Sequence, residues 1–235
     1  MHKPEIRSDV VAAAIRRRGR VNVFDSLDPT RTAHVVVDLQ NGFMAEGQAS
    51  EISHARDIVP NVNKISAALR KAGGTVIYLQ HTFDEEGVAS WSVFFDHFIP
   101  AGAGQAVAKT FEPGSYGHAL WPALEILPED LKVNKRRFGA FVQGSSDLDA
   151  ILRARGINTL IITGTATNVC CESTARDAMM MNYKVFFASD ATATFNDDQH
   201  NATLSAMAHV FCDVRDTESL LGLISACTTT QKAAE

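Results

Sequence analysis

Asn158-Thr159-Leu160-Ile161-Ile162-Thr163-Gly164-Thr165-Ala166-Thr167-Asn168-Val169-Cys170-Cys171-Glu172-Ser173-Thr174 is the stretch that decides the fold. Its first part, 158–163, is short, apolar and β-branched, the composition of a strand covered on both faces, and Gly164 breaks it. A helix over 169–182 follows, so the chain passes from buried strand to helix at a pair of cysteines. A thiol in a first helical turn lies at the positive end of the helix dipole, beside N–H groups with no intrahelical partner, and its thiolate is favoured there. The same positions suit two packing cysteines, because cysteine also behaves as a small hydrophobe. Successive helix positions point about 100° apart, so only one of the two can face a site.

Outward from this junction, strands alternate with helices. The pattern predicts strands over 33–38, 75–80, 132–135, 158–163, 184–189 and 212–214, and helices over 55–71, 116–127, 146–155, 169–182, 197–209 and 217–226. Such alternation implies an α/β fold of three layers, α/β/α, with a six-stranded, parallel, doubly wound sheet in one domain. Ligands are then expected at the carboxyl ends of the strands. The domain is expected over 31–226, preceded by an extension over 1–30 with a short helix at 9–18, and followed by a tail over 227–235. Residues 81–118 form a long aromatic-rich passage with Trp91, Phe94, Phe95, Phe98 and Tyr116, broken by Pro100, Gly102, Gly104 and Pro113-Gly114. Long insertions in compact domains usually carry function.

Composition narrows the class. The 235 residues are 46% hydrophobic and 21% charged, enough for one sizeable core, and the net charge of −5 offers no global field for nucleic acid or anionic lipid. The Arg16-Arg17-Arg18-Gly19-Arg20 cluster reads as a solvated face or subunit contact. No apolar run nears the ~18 residues a membrane span needs, and no signal-peptide core precedes Glu5 and Asp9, so a cytoplasmic protein is expected. The four cysteines at 170, 171, 212 and 227 have no metal-ligand spacing and no C-x-x-C. Nucleotide-binding glycine motifs are missing too.

Three ionisable groups fall at strand ends. Val35-Val36-Val37 ends in Asp38, Val133-Asn134 ends in Lys135, and Cys170 is the third. A carboxylate, an ammonium and a thiol at one sheet edge supply base, electrostatic stabiliser and nucleophile for acyl transfer. Each has a plain alternative: Asp38 as a buttress of the Gly42 turn, Lys135 as a solvated neighbour of Arg136 and Arg137.

Three motifs in this order, Val36-Val37-Asp38-Leu39-Gln40-Asn41-Gly42-Phe43, Lys135-Arg136-Arg137-Phe138-Gly139-Ala140-Phe141 and Gly164-Thr165-Ala166-Thr167-Asn168-Val169-Cys170, resemble those of the isochorismatase-like cysteine hydrolases. The resemblance runs over 33–221. It implies a catalytic triad of Asp38, Lys135 and Cys170, with Cys171 as packing neighbour, and a cis peptide at Thr165–Ala166. The backbone N–H groups of Ala166 and Cys170 are then expected to form an oxyanion hole. Reference pKa values of about 3.9 and 8.5 oppose proton transfer from the thiol to Asp38 by roughly 6 kcal/mol, so Lys135 and the helix terminus are expected to favour the thiolate.

The run from Thr167 to Asp177 is most similar to the ureidoacrylate type. This implies hydrolysis of a ureido, carbamoyl or carboxamide C–N bond through a thioester, with a small amide or ureide and water as the reacting partners. Hydrolysis of an aromatic amide, as by nicotinamidases, and a non-catalytic binding or assembly role on the same fold are the other readings. Phe43, Asn41, Trp91, Tyr116, Phe141, Asn168 and His209 are the expected pocket residues, with Asn196 also near. Glu172 and Arg176 also suit a structural i,i+4 pair. His81-Thr82-Phe83-Asp84 and His97 match a metal-ligand set poorly, so neither metal nor cofactor is expected. A homodimer or homotetramer is expected, with 1–30 and 81–118 as contact surfaces.

Overall fold

In the computed structural model, which describes residues 1–232, the six apolar runs form β1 (Thr32–Val37), β2 (Thr75–His81), β3 (Leu131–Lys135), β4 (Thr159–Thr165), β5 (Lys184–Ala193) and β6 (Asp213–Arg215). Every pairing is parallel and the sheet order is β3-β2-β1-β4-β5-β6. The helices are α1 (Ser8–Arg18), α2 (Asn41–Met44), α3 (Val59–Lys71), α4 (Glu85–Ala89), α5 (Gly104–Thr110), α6 (Leu148–Ala154), α7 (Glu172–Met180), α8 (Asp197–Ala206) and α9 (Thr217–Lys232).

All of β1 and β4 is buried, which explains why these strands read as continuous apolar runs rather than alternating ones. Their side chains still divide by the period of two. Val36, Tyr78, Ile161 and Phe186 pack against Ile65 and Leu69 of α3 and Leu220 and Ile224 of α9. Val35, Val37, Ile77, Leu79, Ile162 and Phe187 pack on the opposite face against Leu148 and Leu152 of α6, Ala175 and Ala178 of α7, and Leu204 of α8. Two cores on two faces make the three-layer sandwich that the alternation implies. The chain winds outward through β2 and β3, then returns to lay β4 beside β1. That reversal opens a crevice at the carboxyl ends of β1 and β4.

Several local expectations differ from what forms. No helix occupies 116–127. Its backbone instead pairs with the turn after β1: Asn41 N–H donates to Ala119 O, Gly42 N–H to Gly117 O, and Trp121 N–H to Leu39 O. The helical stretch opens with a wide π-type turn, Thr167–Cys171, which holds both cysteines and runs directly into α7. The last helix runs past 226 to Lys232, taking in most of the expected tail, and residues 233–235 lie outside the described residues. The extension over 1–30 folds back on its own domain. Its His2 is buried between the rings of His54 and His200, and Arg7 N–H donates to Ser205 Oγ of α8. Among the described residues, no helix is long and apolar enough to cross a membrane.

Gly164 is where β4 presses on β1. Its φ is +108°, and a Cβ there would stand 2.1 Å from Val37 O. A Gly164→Ala variant is therefore expected to lose more than about 3 kcal/mol of stability, since a neighbouring strand's backbone cannot yield as a flexible side chain would. Chemical unfolding of purified wild type and variant measures this; a loss under about 1 kcal/mol would show that the strands can part at this point.

Candidate active site

The three strand-end groups meet in the crevice. Asp38 closes β1 in the left-handed region, φ +51°, a conformation rare for residues other than glycine but better tolerated by aspartate and asparagine. Its N–H donates to Leu79 O at 3.1 Å and its carbonyl accepts Gln40 N–H at 2.8 Å. Gln40 in turn locks the region: Nε2 donates to the carbonyls of His81 and His118, and Oε1 accepts His81 N–H at 2.7 Å. Lys135 closes β3. Its Nζ lies 2.7 Å from Asp38 Oδ2, with both side chains wholly shielded from solvent. Otherwise neither Asp38 oxygen has a hydrogen bond of good angular geometry. Cys170 sits in the wide turn that follows the cis peptide Thr165–Ala166 and is only 4% exposed. Its Sγ, an Asp38 oxygen and a ring nitrogen of His81 all lie within 4.8 Å of one another.

Burial dominates the electrostatics. It raises the pKa of Asp38, against the pull of Lys135. It opposes the charge on Lys135, yet Asp38 and Cys170 outweigh it and hold the ammonium above the ordinary lysine value. Burial also pushes the Cys170 thiol well up, with Asp38 adding to the rise and Lys135 working against it. The expectation of a favoured thiolate is thereby corrected. Desolvation outweighs Lys135, even though Cys170 sits in the first helical turn after β4.

His81 is the site residue that the sequence reading missed. Its Nδ1 accepts from Lys135 Nζ at 3.2 Å, which leaves Nε2 to carry the ring proton. Burial, then the Lys135 charge, hold its pKa well below the usual histidine value, so the ring is neutral. Phe43, Phe83, Phe111 and Phe138 surround it, with ring centroids 4.4–6.3 Å away. The signal was available in the register: His81 closes β2 directly opposite Lys135 of β3, and laterally paired residues share a face.

Residues 32–219 match the isochorismatase domain. The chain belongs to the isochorismatase family. Among its relatives, the ureidoacrylate amidohydrolase RutB of Agrobacterium fabrum strain C58 is 33% identical over 85% of this chain and 92% of its own length. The uncharacterized isochorismatase family protein YwoC of Bacillus subtilis strain 168 is 34% identical over 83% of this chain and 95% of its own. Among solved structures, a cysteine hydrolase from Pseudomonas syringae pv. phaseolicola 1448A superposes with a TM-score of 0.77 at 29% identity, covering 87% of this chain and 97% of that one.

In this isochorismatase-family hydrolase the remaining expected pocket residues divide. Phe43 stacks near Phe111 and His81, and Trp91 packs on Phe138, one ring away from His81. Asn41 Nδ2 donates to Tyr116 O, and its buried Oδ1 has no partner. Asn168 Oδ1 accepts from Thr194 Oγ1 at 2.6 Å, bracing the Cys170 turn against the end of β5. Three residues do not belong to the pocket. The Tyr116 side chain is turned out to solvent, 64% exposed, because the 117–121 backbone is drawn onto the β1 turn. Phe141 packs on Tyr183, which precedes β5 at the opposite edge of the sheet. His209 is exposed beside α1, and its carbonyl accepts from Arg17.

Supporting residues have structural places as well. Asn196 caps α8 through Gln199 N–H. Glu172 and Arg176 pair at 2.6 Å, with Thr203 also donating to Glu172, a structural arrangement. Cys171 is fully buried, its thiol directed to Thr163 O. Gly139 lets its turn approach α7, where a Cβ would come within 2.8 Å of an Asp177 oxygen.

Asp38, His81 and Cys170 are donor types that hold metals. Here, however, the Lys135 ammonium already lies 2.7 Å from the carboxylate and 3.2 Å from the imidazole. A divalent ion among these donors would meet that charge at contact distance, so the donor set suits the lysine instead.

Lys135→Met is expected to cost about 3–5 kcal/mol, because it strands a buried carboxylate. Asp38 then takes up a proton. With its folded pKa above the unfolded 3.8, the folded state binds more protons than the unfolded one, so the variant loses stability as pH rises. Urea unfolding should find Lys135→Met weaker at pH 8 than at pH 5, and Asp38→Asn/Lys135→Met free of that slope. Equal stability of Lys135→Met and wild type at both pH values would refute a structural cost for breaking the pair.

Proposed function

We propose that this chain is a cysteine-dependent amidohydrolase that cleaves a C–N bond of a small ureido, carbamoyl or carboxamide substrate through a thioester. The observation that carries this reading is the buried Asp38–Lys135 pair with the Cys170 sulfur beside it. The likeness to a relative named as a ureidoacrylate amidohydrolase supports the ureide preference.

In this mechanism Cys170 rests as a thiol. As its sulfur bonds to the substrate carbonyl carbon, Asp38 takes the thiol proton, so no free buried thiolate has to form first. Negative charge then develops on the substrate oxygen, and the N–H groups of Ala166 and Cys170 are assigned to receive it. Protonated Asp38 gives its proton to the leaving nitrogen, and ammonia or an amine departs. Water attacks the resulting thioester with Asp38 as base, and the thiol is restored. Lys135 keeps Asp38 oriented and offsets the charge that accumulates beside it, while neutral His81 accepts a hydrogen bond from the ammonium without competing for its charge.

A second reading, hydrolysis of an aromatic carboxamide, draws on the ring-rich surroundings of His81 and Trp91. The same proposal has the enzyme work in the cytoplasm without metal or cofactor. It also has the chain assemble as a homodimer or homotetramer, with the exposed Val93 and Phe98 of the 81–118 passage available for contact.

An ammonia-release screen of ureido acids, carbamoyl compounds, biuret-like molecules and aromatic amides tests the proposal. Wild type should release ammonia from at least one class. Cys170→Ala should fall at least about a thousandfold, and Cys171→Ala should stay within about threefold of wild type, as a packing residue allows. An active Cys170→Ala with an inactive Cys171→Ala would overturn the nucleophile, and no release from any class would overturn the amidohydrolase reading.

A further inference from the structure

Two hydrogen bonds tie the Cys170 turn to what lies behind it, and both lead to the same side chain. Asn168 Oδ1 accepts from Thr194 Oγ1 at 2.6 Å, and Thr167 Oγ1 donates to His200 Nδ1 of α8 at 3.0 Å. His200 Nε2 donates in turn to Ser189 O at 2.9 Å, so the ring is neutral with its proton on Nε2. Burial, then the neighbouring His2, hold its pKa down to about 4, in keeping with that state. Behind Thr194 and His200 stands His2. Its Nε2 lies 3.1 Å from both the N–H and the carbonyl oxygen of Thr194, and its ring stacks on that of His200, centroids 4.4 Å and planes 13° apart. Its Nδ1 is 2.7 Å from Asp197 Oδ1, the His54 ring lies 4.3 Å away, and only 5% of the residue is exposed.

We propose that His2 is a positioning residue for the nucleophile turn, and that the N-terminal extension is a strap which holds residues 166–171 in shape through Thr194 and His200. This goes beyond the amidohydrolase reading and rests on it only for the effect on turnover. The turn has few backbone bonds of its own: Val169 N–H and Cys171 N–H both donate to Ala166 O. Its side-chain braces are only as firm as their partners, because Thr167 and Asn168 can change rotamer when those partners move. His2 fixes both partners at once, one by its ring nitrogen and the other by its ring face. The segment that delivers it is anchored on the helix that carries His200. Lys3 O and Glu5 N–H bond to Asn201, and Arg7 N–H bonds to Ser205. Donors assigned to an oxyanion act only from fixed places, and a shift of about 1 Å can cost about a hundredfold in rate.

Hydrogen–deuterium exchange and kinetics on the full chain test this with His2→Ala and His2→Phe. His2→Ala should speed amide exchange over 166–171 by about tenfold or more, while the amides of β1 and β2 keep wild-type rates. On the compound that wild type hydrolyses fastest in the ammonia-release screen, kcat should fall about tenfold and KM stay within about twofold, because the turn meets the transition state rather than the resting substrate. His2→Phe keeps a ring for His200 without a nitrogen for Thr194, and should lose less in both readouts. Unchanged exchange over 166–171, or unchanged kcat in a folded His2→Ala, would overturn the proposal. Exchange that rises equally in β1 and β2 would overturn it too, since that marks a global loss of stability. Should His2→Ala not fold, the same criteria apply to His2→Phe. If wild type hydrolyses none of the compounds while exchange still rises locally, the amidohydrolase reading fails and the strap stands.

Discussion

Asp38 and Lys135 form an ion pair with no solvent around it, and the rest of the site is arranged to make that tolerable. Each charge costs several kcal/mol to bury, and their attraction offsets this only when the geometry is held. The two residues end β1 and β3, which are not neighbours; β2 lies between them. Holding them 2.7 Å apart therefore needs two parallel registers to be right at once, Val37 against Leu79 and His81 against Lys135. A slip of one residue in either would turn a charged side chain to the wrong face. The apolar strands and their two cores fix that register, and the Gln40 clamp ties the end of β2 to the turn that carries Asp38.

The burial that makes the pair costly also sets the state of the thiol. A low-dielectric crevice strengthens the attraction of Lys135 for any nearby anion, yet it penalises the thiolate more. Asp38 already claims the ammonium, so a second buried anion beside it would be repelled by the first. Burial and Asp38 both work toward a neutral thiol at Cys170, which suits the proposed coupling of its proton transfer to bond formation. His81 fits the same logic. A protonated imidazole 3.2 Å from an ammonium would add a second uncompensated cation, and its ring of phenylalanines offers no water to solvate it.

Much of this was legible in the sequence. The apolar runs gave the strands, the alternation gave the layers, and the strand-end positions of Asp38, Lys135 and Cys170 gave their meeting place, because a parallel sheet gathers its carboxyl ends on one edge. What failed to read through depended on contacts between distant segments. Residues 116–127 have helix-compatible composition, but Gly117 and Pro122 bracket a backbone that pairs with the β1 turn. Tyr116, Phe141 and His209 lie near site elements in sequence yet face solvent or the other sheet edge, since proximity along the chain does not say where a side chain points. His81 falls just past the expected second strand and reads only as a poor metal ligand; β2 runs one residue further, and the β2–β3 register then sets it against Lys135.

The strand-end groups and the inserted passage stand on different kinds of structure, and the residues after Lys135 join them. Asp38, Lys135 and Cys170 sit at or just beyond the ends of strands within a packed sheet, where position is over-determined. Trp91, Phe94 and Ser90 belong to the inserted passage, whose bonds to the core include Arg136 with Asp84 and Glu86 and Arg137 with Ser90. A change of residue in that passage alters what packs on Phe138 and Phe83 without moving the strand ends. A change in the strands disturbs a buried ion pair and is penalised by folding itself. The fold can therefore hold its strand-end groups in place while the passage above them varies.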